Sequence, residues 1–168
     1  LYLNSKEQLF SACIQREAEG LLGAVRDAVE PGAPADRRLW NALRAFFAHT
    51  AEHPAGWAVL SCQARMHGEP FTRAAASLRQ EIAGLLAGLI AESLGRAAAA
   101  GAPGEREVSG LAHALVGAAE SLAGWANSTA TEANPAPSAQ ETAETLMNVA
   151  WVGLENLMGG RRWLPAAP

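Results

Sequence analysis

This chain has little basic charge relative to its acidic charge. Its 168 residues carry 13 lysines and arginines against 17 aspartates and glutamates, a net charge of −4, with an isoelectric point near 5.6. By themselves these residues offer no electrostatic surface for nucleic acid. Cysteine is scarce: Cys13 and Cys62 both lie among apolar neighbours, which argues against a disulfide framework and makes a reducing cytoplasm the expected setting. No apolar run approaches the ~18 residues of a membrane span, and no signal-peptide pattern is visible. Strand-like alternation and internal repeats are missing. So are a nucleophile elbow and the Walker and dinucleotide glycine patterns. Glu81 and Glu92 share one long helical stretch, but no Glu-x-x-His pair accompanies them, which argues against a di-iron bundle. Nothing here demands an enzyme. What remains is apolar residue, 49% of the chain, enough for one sizeable core in one domain.

Helical spacing runs through the whole chain. Over residues 5–29, Phe10, Cys13, Ile14, Leu21, Leu22, Val25 and Val29 share one face. Pro31, Gly32 and Pro34 break it, and Asp36 is placed to cap a second helix to about residue 53, striped with Leu39, Trp40, Leu43, Phe46 and Phe47. Pro54 opens a short third helix carrying Trp57, Leu60 and Ala64, which His67-Gly68-Glu69-Pro70 ends. A long fourth helix spans about 71–100, and Gly101-Ala102-Pro103-Gly104 stops it. The fifth runs about 105–131. After Pro135 and Pro137, Ser138 can cap a sixth reaching Met158, with an irregular tail behind it. The expectation is an all-α fold of about six helices.

The last two helices are apolar almost all round. In the fifth, Gly110, Ala114, Gly117, Ser121, Gly124 and Ser128 recur at alternating spacings of four and three, a stripe of the smallest side chains. Each glycine costs about 0.5–1 kcal/mol relative to alanine inside a helix. Close approach of another helix is the physical reason available. The sixth adds Leu146, Met147, Ala150, Trp151, Leu154, Leu157 and Met158, wider than one contact face needs. Two such neighbours suggest a C2 four-helix bundle between two copies, with Gly110, Ala114, Gly117, Ser121, Gly124, Leu146, Ala150, Trp151, Leu154 and Leu157 at the interface. Central helices of a monomer are the competing reading.

Of the chemical constellations, His49 and His53 at i, i+4 can chelate zinc, with Glu52, Cys62 and His67 as candidate further ligands. The same spacing near a helix end is also ordinary surface, and no metal or cofactor is assigned. The aromatics are the better lead. Trp40, Phe46, Phe47, Trp57, Phe71 and Trp125 come from several helices and can converge. With Met66 and Leu86 they are candidate walls of an apolar pocket, and His113 and Glu120 are its candidate polar anchors. Ordinary core packing competes for each of them.

The opening residues tie these parts together. In Leu1-Tyr2-Leu3-Asn4-Ser5-Lys6-Glu7-Gln8-Leu9-Phe10, Ser5 and Gln8 fit a capping box, with Leu3 and Leu9 as its hydrophobic staple. A tyrosine between two leucines ahead of a cap reads as a chain entered in the middle. The decapeptide resembles the junction between the DNA-reading helix and the first core helix of the tetracycline-repressor (TetR) family of transcriptional regulators. Trp151-Val152-Gly153-Leu154 and Gly159-Gly160-Arg161-Arg162-Trp163 extend a weaker likeness over the whole chain. The resemblance implies residues 1–4 as the end of a helix-turn-helix and 5–168 as an effector-binding and dimerisation domain. It also implies a homodimer through the last two helices, operator DNA read by the preceding domain, and phosphate contacts from Tyr2 and Lys6. A small, apolar effector would sit in the core and release a repressor from its operator. A helical small-molecule carrier, or a dimerisation module without DNA binding, is the alternative.

Overall fold

The computed structural model describes residues 2–96 and 100–168, apart from the side chains at 2–4, 65 and 96. Its helices are α1 (Tyr2–Ala28), α2 (Ala35–Glu52), α3 (Pro54–Ala58), α4 (Ala64–Met66), α5 (Phe71–Arg96), α6 (Glu105–Ser128) and α7 (Ala139–Met158). A π turn, Val59–Gln63, joins α3 to α4, so these two form one interrupted rod and the fold has six. The architecture is all-α, and among the described residues the sole β feature is a bridge between Thr131 and Asn134.

The breaks fall where proline and glycine place them. Gly32 takes a φ of +86° in the turn after α1, and Gly101 one of +85° after α5, values that a side chain disfavours. A Cβ at Gly101 would stand 3.4 Å from the Gly160 carbonyl oxygen, so the α5–α6 turn and the chain beyond α7 approach closely there. Arg162 secures this corner by donating to Glu107 (2.7 and 2.9 Å) and to the Gly101 carbonyl (2.9 Å).

Caps divide into one success and two corrections. Ser138 caps α7 in a full capping box: its hydroxyl accepts from the Glu141 N–H at 3.1 Å, and the Glu141 carboxylate accepts from the Ser138 N–H at 2.7 Å. The Ser138 backbone N–H, and then its hydroxyl, hold the Glu141 carboxyl below its usual pKa. Ser5, by contrast, lies inside α1, which runs unbroken from Tyr2. No proline or glycine precedes Ser5 to turn the backbone out of the helix, so the S-x-x-Q pattern has no end to cap; Leu9 is exposed. Asp36 sits in the first turn of α2, whose N-cap is Pro34; there it favours the helix dipole without capping.

α1, α2, α5 and α6 enclose the core. α6 lies mainly on α5, and α7 mainly on α2. Small buried residues on α6 (Ala112, Ala119, Ala123) allow the close α5 contact. α5 is long and apolar enough, by length and composition, to cross a membrane (mean hydropathy 1.2 over its most apolar window), a point on which the expectation from apolar runs falls short. Alanine and glycine raise that mean, while Leu78, Ala83, Leu86, Leu89 and Ile90 face the core.

Candidate functional site

The core is incompletely filled. A partly open apolar cavity of about 50 Å³ lies where α1, α2, α3, the π turn, α5 and α6 meet. Leu21, Phe46, Trp57, Leu60, Leu86 and Leu115 supply bulk, while Ala42, Ala75 and Ala119 leave the space. The π turn interrupts the α3–α4 rod at this wall, a distortion often found beside functional sites. Phe46 meets Phe47 and Trp57 edge-on, with ring centroids 5.4 and 5.5 Å apart, which fixes the aromatic side of the wall.

Three polar residues reach the lining. Ser61 turns its hydroxyl back onto the Trp57 carbonyl at 2.7 Å. Arg79 of α5 and Glu120 of α6 form a two-pronged ion pair, Nε to Oε1 at 2.7 Å and Nη2 to Oε2 at 2.9 Å. Both side chains are partly exposed, 36% and 26%. The pair therefore lies on the solvent side of the cavity and straps α5 to α6, and as a partly solvated bridge it contributes about 1 kcal/mol or less.

The candidate pocket residues separate into lining and non-lining. Trp57 and Leu86 line the cavity, and so does Glu120. Phe47 is buried behind Phe46. Trp40 lies over a shallow surface depression with Asp36, Arg37 and Met147. Met66 is 76% exposed and Trp125 50% exposed, because each falls at a helix end on the outer face. His113 is exposed, its Nδ1 2.8 Å from the Ser109 carbonyl of its own helix. Phe71 is buried elsewhere, edge-on to Phe10 at 4.7 Å, with His67 against Phe10 at 4.8 Å. This trio clasps the N-terminal half of α1 to the start of α5. Arg79 carries no local sequence signal, because its partner lies 41 residues away. The side chain of Tyr2 lies outside the described residues, and Lys6 is on the exposed part of α1.

His49 and His53 do stack, with centroids 4.4 Å apart. Among the described residues, though, no three His, Cys, Asp or Glu side chains gather to hold a metal. His49 instead packs against α1, where a Cβ at Gly20 would be 3.6 Å from its ring. Burial lowers its pKa below the usual 6.5 and His53 lowers it further, while Glu17 and Glu52 oppose. The unfolded chain thus takes up a proton that the folded chain resists. This contribution to stability is full above pH 6.5 and is lost as pH falls through the lower folded value. The urea midpoint should therefore drop between about pH 7.5 and 5.5, and less so in His49→Asn; an equal drop would place the acid sensitivity in other groups.

The outward face of α6 and α7 is the other notable surface. Gly110, Ala114, Gly117, Ser121 and Gly124 are all exposed, and an added Cβ at any of the three glycines meets nothing within 4 Å. On α7 the expected side is corrected. Leu146 and Leu154 are buried in the chain's own core, and Ala150, Trp151 and Leu157 are partly buried. The exposed stripe is Thr145, Asn148, Val149, Val152 and Gly153, with Val149 75% and Val152 54% exposed. α2 takes the bulkier side.

Comparison with known proteins agrees with this architecture. No curated protein sequence matches the chain. A TetR-like transcriptional regulator from Rhodococcus sp. RHA1, known from its crystal structure, is 31% identical with a TM-score of 0.71, over 92% of this chain and 75% of that one. Residues 35–153 match the family described as "Tetracyclin repressor-like, C-terminal domain", and the chain therefore belongs to the TetR family of transcriptional regulators, with these residues forming the C-terminal domain.

Proposed function

We propose that the protein is a cytoplasmic, dimeric repressor that leaves its operator when a small apolar molecule enters the core cavity. The observation that carries this reading is the apolar cavity shared by α1, α5 and α6. At about 50 Å³ it is far below the ~300–1,000 Å³ of typical ligand sites. An effector can enter only by moving the helices around it, which is the differential binding that a population shift requires.

The route of the shift follows the contacts. α5 lines the cavity with Leu78, Ile82 and Leu86 and begins at Phe71. Phe71 packs on Phe10 of α1, so displacing α5 drags the N-terminal half of α1. In this reading a helix-turn-helix lies on the N-terminal side of α1. The dimer, formed through the flat faces of α6 and α7, holds two such modules about 34–36 Å apart on successive major grooves. Moving α1 spoils that spacing.

Operator retention by the complete protein tests the reading. A specific operator should be bound, and bound less tightly once an apolar ligand is present; a complete protein that binds no DNA leaves the carrier alternative in its place. Lys6, exposed near the start of α1, is assigned a phosphate contact. Lys6→Ala should weaken all sequences alike and reduce the salt slope of binding by about 1; an unchanged slope removes that contact.

A further inference from the structure

A second apolar pocket adjoins the core cavity. About 190 Å³ in volume, it lies between α1, α2 and α5 and shares Val25, Ala42, Ile82 and Leu86 with the cavity as a common wall. Its outer end is lined by Val29, Leu85 and Leu89. Two cationic side chains, Arg26 and Arg38, line this otherwise aliphatic space, and Arg38 is the more buried, 16% exposed. Arg26 lies at the margin and pairs with Glu81 at 3.5 Å, both half-exposed.

Arg38 is incompletely satisfied. Its Nη1 donates to Glu92 Oε2 at 2.9 Å, but Nε is buried without a hydrogen-bond partner, the sole such side-chain nitrogen or oxygen among the described residues. A buried donor of this kind calls for an acceptor. In a guanidinium, Nε belongs to the edge remote from Nη1, and a carboxylate meets that edge side-on. Arg79 differs: Nε and Nη2, the same edge, already hold both oxygens of Glu120. Of the three arginines beside the apolar spaces, Arg26 is half-exposed to solvent and Arg79 is engaged by Glu120, and Arg38 is the one with a buried donor left without an acceptor.

We propose that the effector is an apolar carboxylic acid, its carboxylate held by Arg38 in the α1–α2–α5 pocket and its hydrocarbon chain passing the Ile82–Leu86 wall into the core cavity. This rests on the reading of the core as an effector site, and it assigns the polar end and chemical class of the effector. It also gives the shift its handle, because Arg38 is on α2, Glu92, Ile82 and Leu86 are on α5, and Val25 is on α1.

The probes are decanoate, decanamide and 1-decanol, titrated by calorimetry into the complete protein and its variants. Decanoate should bind at least about tenfold tighter than the two neutral molecules. Arg38→Met, which keeps the aliphatic stem, should weaken decanoate about 10- to 100-fold, the range for a lost charge-assisted hydrogen bond, and leave 1-decanol within about twofold. Arg38→Lys, charged but without Nε, should lose most of the preference. Leu85→Trp, from the partly solvated side, should block decanoate without altering Arg38, and it decides the matter if the Arg38 variants do not fold. Equal binding of the three probes, a preference unchanged by Arg38→Met or lost instead in Arg79→Met, or binding of none of them overturns the proposal. Operator binding without any probe tests the regulator reading separately, so a protein that binds its operator but not decanoate refutes this inference alone.

Discussion

Gly117→Leu should bring the particle in solution down to the mass of one chain, 17.5 kDa for these residues, while leaving that chain at least as stable as before. The two halves have separate causes. Within the chain a side chain at 117 meets nothing within 4 Å, and exchanging a mid-helix glycine for leucine favours the helix by about 0.5–1 kcal/mol. Across the proposed interface the same leucine stands in the middle of a stripe whose other members are Gly110, Ala114, Ser121, Gly124 and Ser128. Helix axes that approach through glycine cannot do so through leucine, and a C2 axis presents the obstruction twice. Light scattering with a thermal melt reads both. A lighter particle with an equal or higher melting point is the expected pair. A mass that stays dimeric removes α6 from the interface, and a lower melting point in the separated chain would mean that the stripe serves internal packing.

The same helices show how much the sequence discloses. Helix number and breaks were legible because Pro31–Pro34, Gly101–Gly104 and Pro135–Pro137 interrupt otherwise continuous helical spacing. Ser138 was legible because its capping box is completed within four residues. Facing was harder. α7 is apolar around most of its circumference, so no local pattern says whether Leu146 and Leu154 or Val149 and Val152 turn inward. α2, about a hundred residues earlier, decides it, and the bulkier leucines pack there. α6 was readable because its outward stripe is distinguished by size as well as polarity. The pocket followed the same division. Trp57 and Leu86 reached the cavity from their helical phase, whereas the Arg79–Glu120 strap and the position of Arg38 against α5 depend on contacts between distant segments. Ser5 went astray for the opposite reason: a good local motif was overruled by uninterrupted helix on both sides.

Leu21→Ala should be among the most damaging single substitutions in the core, and its damage should be partly reversed by benzene. Leu21 is 1% exposed and lines the existing cavity. Truncating a buried leucine costs about 3–5 kcal/mol, and the cost is highest where the surroundings do not close over the gap. A site already bordered by about 50 Å³ of unfilled space, with Phe46 and Trp57 packed edge-on along its wall, is one where the gap is expected to stay open. The melting temperature should fall by roughly 10 °C or more in a domain of this size. Enlarged apolar cavities stay dry and accept small aromatics, so saturating benzene should raise the variant's melting point well beyond its effect on the wild type, by linkage to the folded state. Lost stability without rescue would mean that the walls move in when Leu21 is removed. A core that relaxes so readily could not oppose α5 to an incoming ligand, and the displacement proposed to reach Phe71 and α1 would be absorbed before it arrived. Rescue by benzene would instead show a rigid receptor, in which added volume must be accommodated by moving a helix.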